Sequence, residues 1–209
     1  MNFFLSDFDG TLVDRDILDV ICGIVGKEEE SRKLNQDFIN GKLEGLPTLK
    51  KRIDFLQGVS VEDIYRKLDK NNYLIHGAKE LFAFLRSKNI VTILHSGNII
   101  PVLRYYQEIL GITHVVGTHP RMDGNVIDGI DLQGFGSKTF KVDGCKKIIS
   151  EYGSSAGNVI ALGDSPSDLD IFSISKVSIS INPKGGIDNN VDFTVRESLL
   201  EVISIISNF

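Results

Sequence analysis

Cysteine is scarce in this chain: only Cys22 and Cys145 occur among 209 residues. Neither belongs to a CxxC pair or a Cys/His spacing, which argues against a disulfide framework or a thiolate zinc site. The two read as buried thiols of a reducing compartment. The first residues lack a basic segment leading into a long apolar one, so no signal peptide is expected and the cytoplasm is the default location. No apolar run approaches the roughly 20 residues that span a bilayer. Positive charge is also in deficit, with 23 Lys and Arg against 28 Asp and Glu and a net charge of −5. Neither a nucleic acid nor a membrane is therefore expected as partner. No Walker loop or GxGxxG turn is present to cradle a nucleotide.

What remains is ordinary globular composition, 42% hydrophobic and 24% charged, long enough for a sizeable core. The periodicity falls into two regimes. Asn2–Ser6 reads as a short buried strand, and the stretch 14–74 then reads as helical without a strand. Its segments stop at Gly26, Gly41 and Gly58, and Ser60 with Asp63 forms a capping signal. After Gly77, strands alternate with helices of ten to fifteen residues, which predicts a parallel sheet with helices on both faces. The expected strands are 90–95, 114–117, 159–162, 177–181 and 192–195. The expected organisation is a Rossmann-like α/β core from 1–13 and 75–209 and a small all-helical insert at 14–74. The stretch "MDGNVIDGI" has hairpin turn chemistry and marks a flap at 119–135.

In open parallel sheets, ligands bind beyond the carboxyl ends of the strands. The first strand runs into "SDFDGTLVD" and delivers Asp7 and Asp9; the next ends in "HSGN" and delivers Ser96, Gly97 and Asn98. A later strand ends in "GDSPSD" and delivers Asp164, Ser167 and Asp168, with Lys141 opening the helix before it. Several carboxylates on one rim repel one another and need a cation. Hard divalent ions such as Mg²⁺ accept carboxylates together with a substrate phosphate. An EF-hand is excluded, because its glycine and glutamate positions fall on Leu12 and Leu18.

These four segments in order, "DFDGTLVD", "HSGN", Lys141 and "GDSPSD", resemble the motifs of the haloacid dehalogenase superfamily of phosphatases, over essentially the whole chain. Within it the chain is most similar to the phosphoserine phosphatase-like subgroup, whose helical-cap pattern overlays "INGKLEGLPTLKKR" without a gap. The resemblance implies that Asp7 attacks phosphorus to form an aspartyl-phosphate and that Asp9 is general acid and base. It implies that Ser96 and Lys141 bind the transferring phosphoryl oxygens, and that Asp7, Asp9, Asp164 and Asp168 hold Mg²⁺, Asp168 as support. It places a substrate pocket on Asp16, Arg52, Ser96, Gly97, Asn98, Lys141 and Ser167, for a small phosphorylated metabolite, phosphoserine or a related acid leading. The oligomeric state stays open.

The pocket departs from the resemblance at four places. Asp16 stands where the subgroup has a glutamate facing the substrate ammonium, and Ser167 where it has an asparagine. His95 precedes Ser96 and reads as a strand residue packed under the site. Gly45 stands where the subgroup has an aromatic wall, so a roomier pocket is expected. Arg52 matches the arginine that grips a substrate carboxylate, but Lys50–Lys51–Arg52 also reads as a solvated basic run. Two rival functions remain: a phosphomutase, which shares both aspartates, and a non-catalytic phosphate-binding or phosphoacceptor regulator.

Overall fold

A computed structural model describes residues 2–130, 139–153 and 158–208 of the chain. Its centre is a six-stranded sheet in the order β3-β2-β1-β6-β7-β8. The strands are β1 (Phe3–Ser6), β2 (Val91–Ile99), β3 (His114–Thr118), β6 (Val159–Gly163), β7 (Val177–Ile181) and β8 (Phe193–Val195). Every neighbouring pair runs parallel. Strands β4 (Met122–Asp123) and β5 (Val126–Ile127) form a separate antiparallel pair around "GN", as the turn chemistry predicts.

The period-two alternation of β1 builds both layers of the core. Phe4 joins one cluster, with Leu81, Phe82, Val102 and Leu103 from α5 (Ala78–Ser87) and α6 (Ile100–Leu110) and Val202 and Ile206 from α9 (Leu200–Ile206). Phe3 and Leu5 point the other way, onto Val142, Cys145 and Ile149 of α7 (Phe140–Glu151) and Ile171 and Phe172 of α8 (Leu169–Phe172). Each fully buried Phe contributes about 1.5–3 kcal/mol, and Phe4 meets Phe82 edge-on at 6.3 Å. A strand buried on both faces has no room for unpaired charge, which is why "FFLS", whose one polar group, the Ser6 hydroxyl, donates to Asp7 O, precedes the acids rather than containing them.

Between β1 and α5 the described chain is helical: α1 (Ile17–Cys22), α2 (Glu28–Ile39), α3 (Gly45–Asp54) and α4 (Val61–Leu68). Ser60 caps α4, accepting from the Asp63 amide at 3.1 Å while its hydroxyl donates to the Asp63 carboxylate at 2.7 Å. The β4–β5 hairpin is tied to this block through Gly58, Val59 and Val61, whose main chains exchange bonds with Asn125 and Ile127. The last five positions of the expected flap, 131–135, lie outside the described residues.

One boundary differs in a way that matters. Strand β2 runs to Ile99 rather than ending at His95, and its pairing with β3 shifts register between His95 and Ile99. Ser96, Gly97 and Asn98 therefore lie in the irregular end of a strand, not in a loop after it. No helix among the described residues is long and apolar enough to cross a membrane.

Candidate active site

The end of β1 sets the geometry. The Asp7 amide continues the ladder by donating to Leu162 O at 3.0 Å, and Phe8 O then accepts from the amides of Thr11, Leu12 and Val13. This tight reversal turns Asp7 and Asp9 into one cavity. It passes through Gly10 at φ 86°, and a Cβ there would run into the Asp164 carboxylate, so only glycine lets the turn approach β6 this closely.

The cavity, about 510 Å³, is lined by all the expected site residues except Asp168: Asp7, Asp9, Asp16, Arg52, Ser96, Gly97, Asn98, Lys141, Asp164 and Ser167. Asp168 lies just beneath, fully buried. Its Oδ2 accepts from the amides of Asp164 and Ser165 at 3.1 and 3.2 Å and so fixes that turn. Its Oδ1 is buried without a hydrogen-bond donor.

Lys141 reaches across from α7 and donates to Asp7 Oδ1 at 2.9 Å, with Asp168 Oδ1 at 3.8 Å. Burial disfavours its charge, yet the carboxylates of Asp7 and Asp168 outweigh burial and hold its pKa above the usual lysine value. Asp9 Oδ1 accepts from the amide of Ile17, the first residue of α1, at 2.8 Å. Ser96 Oγ donates to Asp9 Oδ2 at 3.2 Å, and Asn98 Nδ2 approaches the same carboxylate at 3.3 Å. Burial first, then repulsion by Asp16 and Asp7, lifts Asp9 to about 8, so it carries a proton at neutral pH. Burial and then Asp7 lift Asp168 to about 7 and raise Asp164 as well. The site thus holds more negative charge than its own cations neutralise.

His95 is fully buried under this floor, with both ring nitrogens unpartnered, and burial followed by Lys141 keeps it neutral. It brings a nitrogen together with carboxylate oxygens of Asp7 and Asp168, all within 4.8 Å. The Lys141 ammonium lies 2.9 Å from Asp7 Oδ1 and 3.8 Å from Asp168 Oδ1, and a neutral imidazole nitrogen is a poorer partner than oxygen for a hard divalent ion.

Arg52 is not part of a solvated basic run. Arg52 is only 5% exposed, whereas its neighbours Lys50 and Lys51 are not buried. Its guanidinium donates to Asp16 Oδ1 at 2.6 Å, Asp19 Oδ1 at 2.9 Å and Ser31 Oγ at 2.9 Å. Asp16 is itself the N-cap of α1, accepting from the Asp19 amide at 3.1 Å. Both its oxygens are engaged, because Asn35 of α2 donates to Oδ2 at 3.0 Å.

Sequence reasoning missed three contributors. Lys184, after β7, forms an ion pair of 2.5 Å with Asp164 Oδ2. Asn35 and Phe38, one helical turn apart on α2, both line the cavity. The expectation of open space over Gly45 needs correcting: a Cβ on Gly45 would lie 3.0 Å from Phe38 Cε2. The Phe38 ring occupies the direction a side chain at 45 would take.

A family model described as haloacid dehalogenase-like hydrolase matches residues 4–173. The phosphoserine phosphatase of Campylobacter jejuni subsp. doylei is 26% identical over 204 residues, covering 96% of this chain and 97% of the relative. That of Methanocaldococcus jannaschii is also 26% identical over 204 residues, covering 97% and 96%. A solved structure described as a phospho-aspartyl intermediate analogue of phosphoserine phosphatase superposes with a TM-score of 0.82, at 23% identity and 98% coverage of both chains.

Proposed function

The chain belongs to the haloacid dehalogenase-like hydrolase family, and we propose that it is a phosphoserine phosphatase-like phosphoric monoester hydrolase acting on phosphoserine or a related phosphorylated small acid. The observation that carries this reading is the Lys141 ammonium 2.9 Å from Asp7 Oδ1 in a cavity shared with Asp9 and Asp164.

Asp7 attacks phosphorus, the bond to the leaving oxygen breaks, and an aspartyl-phosphate forms. Asp9, protonated at neutral pH, gives its proton to the leaving oxygen. As a carboxylate it then takes a proton from water, whose oxygen attacks phosphorus, releases inorganic phosphate and restores Asp7. Lys141 neutralises charge on the transferring group, and Ser96 moves from Asp9 to a phosphoryl oxygen.

Mg²⁺ is the cofactor, and the donor set suits it. Asp7, Asp164 and Asp168 offer hard oxygens; burial, followed by repulsion from Asp7, raises Asp164 and Asp168, and Asp168 Oδ1 lacks a donor. Asp7, the Asp9 main chain and Asp164 would hold the ion, with Asp168 supporting; it supplies charge neutralisation at the phosphoryl group. The helical block 14–74 acts as a cap over the core built by 1–13 and the described part of 75–209, with the β4–β5 hairpin as its flap.

Retention of Asp9 as a half-buried acid whose pKa is raised to about 8 favours hydrolysis over a mere phosphate-binding role. Phosphate release from a panel of phosphorylated metabolites, with Mg²⁺ and with EDTA, tests the reading. Turnover of small phosphorylated acids that stops in EDTA supports it. Absence of phosphate release from every compound removes it, and dependence on a bisphosphate activator moves it to a mutase.

A further inference from the structure

The cap wall raises a question of selectivity that Gly45 alone answers wrongly. Gly45 opens α3 with no side chain, and its φ is outside the left-handed region, so nothing in the backbone demands glycine there. What stands in the way of a side chain is Phe38, with Cε2, Cζ and Cδ2 at 3.0, 3.4 and 3.7 Å from a Cβ at position 45. Phe38 is 44% exposed, and it is among the residues that line the cavity. It lies one turn after Asn35, whose amide holds Asp16, so one face of α2 presents both a polar and an aromatic residue to the cavity.

We propose that Phe38 is a specificity-determining residue: its ring, supplied from α2, walls the substrate pocket in the place that Gly45 on α3 leaves open. The pocket then selects small phosphorylated acids whose few carbons fit between this ring and the Asp16–Arg52 pair, and it excludes bulky phosphomonoesters. A side chain at 45 would have to displace the Phe38 ring, so the two walls compete for one space. The inference rests on the phosphatase reading for the identity of the substrate, though not for the geometry.

The test exchanges the wall between helices in the full-length protein, with Phe38→Ala, Gly45→Phe and the double variant. For Phe38→Ala, partial loss of one aromatic contact should raise KM for phosphoserine about 5–10-fold. kcat should stay within about twofold, and discrimination against phosphotyrosine should fall by a similar factor. Gly45→Phe alone should also impair binding, by forcing two rings together. The double variant should return KM to within about twofold of the parent. A binding readout separates this from catalysis: in the Asp7→Asn background, Phe38→Ala should weaken phosphoserine about 5–10-fold and leave inorganic phosphate, too small to reach the ring, unchanged. Binding that depends on Phe38 without any turnover would sink the phosphatase reading and keep the wall. Turnover in which Phe38→Ala changes neither KM nor discrimination, or lowers only the melting temperature, would overturn the wall and keep the phosphatase. A parent protein that binds phosphoserine no better than inorganic phosphate also overturns it.

Discussion

The Lys141 ammonium and the Asp7 carboxylate meet at 2.9 Å although 134 positions separate them in the chain. The contact is made by a helix on one face of the sheet reaching around to the end of its central strand. Lys141 is largely buried there, and Asp7 and Asp168 both face it. Replacing it with methionine keeps the volume of the stem and removes the charge that meets the developing phosphoryl charge. Lys141→Met should lower kcat about 10²–10³-fold, as loss of one preorganised donor does, with a smaller effect on KM. Steady-state kinetics on the best substrate of the panel checks this, and a kcat within threefold of the parent would remove Lys141 from the machinery.

The general acid can be isolated from the nucleophile. Asp9→Asn keeps the bonds that Ser96 offers and removes the titrating proton. Turnover should fall roughly 10²–10⁴-fold. With a good aryl leaving group the first step needs less protonation, so phosphorylated Asp7 should accumulate and be visible by mass spectrometry after acid quench. Asp7→Asn should show neither turnover nor a phosphorylated adduct.

Stability should depend on pH in a direction opposite to that of most proteins. Asp9 at about 8 and Asp168 at about 7 lie above the ordinary carboxylate value near 3.9, and Asp164 is raised too. Between about pH 4 and 8 these carboxylates hold more protons in the folded state than in the unfolded one; His95, kept neutral by burial, opposes them by one proton below about pH 6.5, so stability falls as pH rises through that window, most steeply above 6.5. Asp192 is shifted the other way by Ser178, but its contribution is lost only below about pH 4. In EDTA the melting temperature should thus be higher at pH 5 than at pH 8. Mg²⁺ bound there would supply the missing positive charge, so its stabilising increment should grow with pH. A flat profile from pH 5 to 8 in EDTA would contradict the charge excess.

Lys184 should compete with that ion. It is 62% exposed along its side chain yet places its ammonium 2.5 Å from Asp164 Oδ2. The lysine end of this pair is in water, so solvent screens it although Asp164 is buried, and it is worth about 1 kcal/mol. Lys184→Met should therefore tighten Mg²⁺ binding modestly, about two- to fivefold, and enlarge the thermal shift that Mg²⁺ produces. Calorimetric titration decides the sign, and weaker binding would mean that Lys184 assists the ion instead.

Legibility in the sequence followed the range of each signal. Asp7 and Asp9 stood out because two acids directly after a fully apolar strand have no packing explanation. Lys141 was legible by its spacing within the recognised motifs. Lys184 was not, because a lysine in a Pro-Gly turn carries no local mark of the carboxylate opposite it. Nor was Phe38: α2 is charged and amphipathic, and which of its faces meets the cavity is set by its packing on α1 and α3. The end of β2 was misplaced because "HSGN" reads as a turn, whereas Thr118 Oγ1 holds Gly97 O at 2.7 Å and keeps the segment on the sheet. Arg52 looked like its neighbours Lys50 and Lys51 until the fold buried one of the three.

That burial changes what removal of Arg52 should do. A solvated arginine that merely greets a substrate carboxylate would alter KM and leave stability alone. Here the guanidinium sits between Asp16 and Asp19 and also donates to Ser31, so its loss leaves two carboxylates facing each other with little solvent. Burial, followed by Asp16, already raises the Asp19 pKa with Arg52 in place. Arg52→Ala should therefore destabilise the protein by about 3–5 kcal/mol, the usual consequence of stripping one partner from a buried pair. Urea denaturation measures this directly. Asp19→Asn in the same chain should recover part of the loss, because it removes one of the two stranded charges. Kinetics below the melting transition then reads the pocket itself: KM for carboxylated substrates should rise in Arg52→Ala, while KM for an aryl phosphate without a carboxylate should stay within about twofold, since only the former can use Nη1, the nitrogen that Asp16, Asp19 and Ser31 leave open. Arg52→Ala with parental stability would make the Asp16–Arg52–Asp19 contact dispensable, and an equal rise in KM for both substrate types would show that Arg52 shapes the cap without touching the substrate.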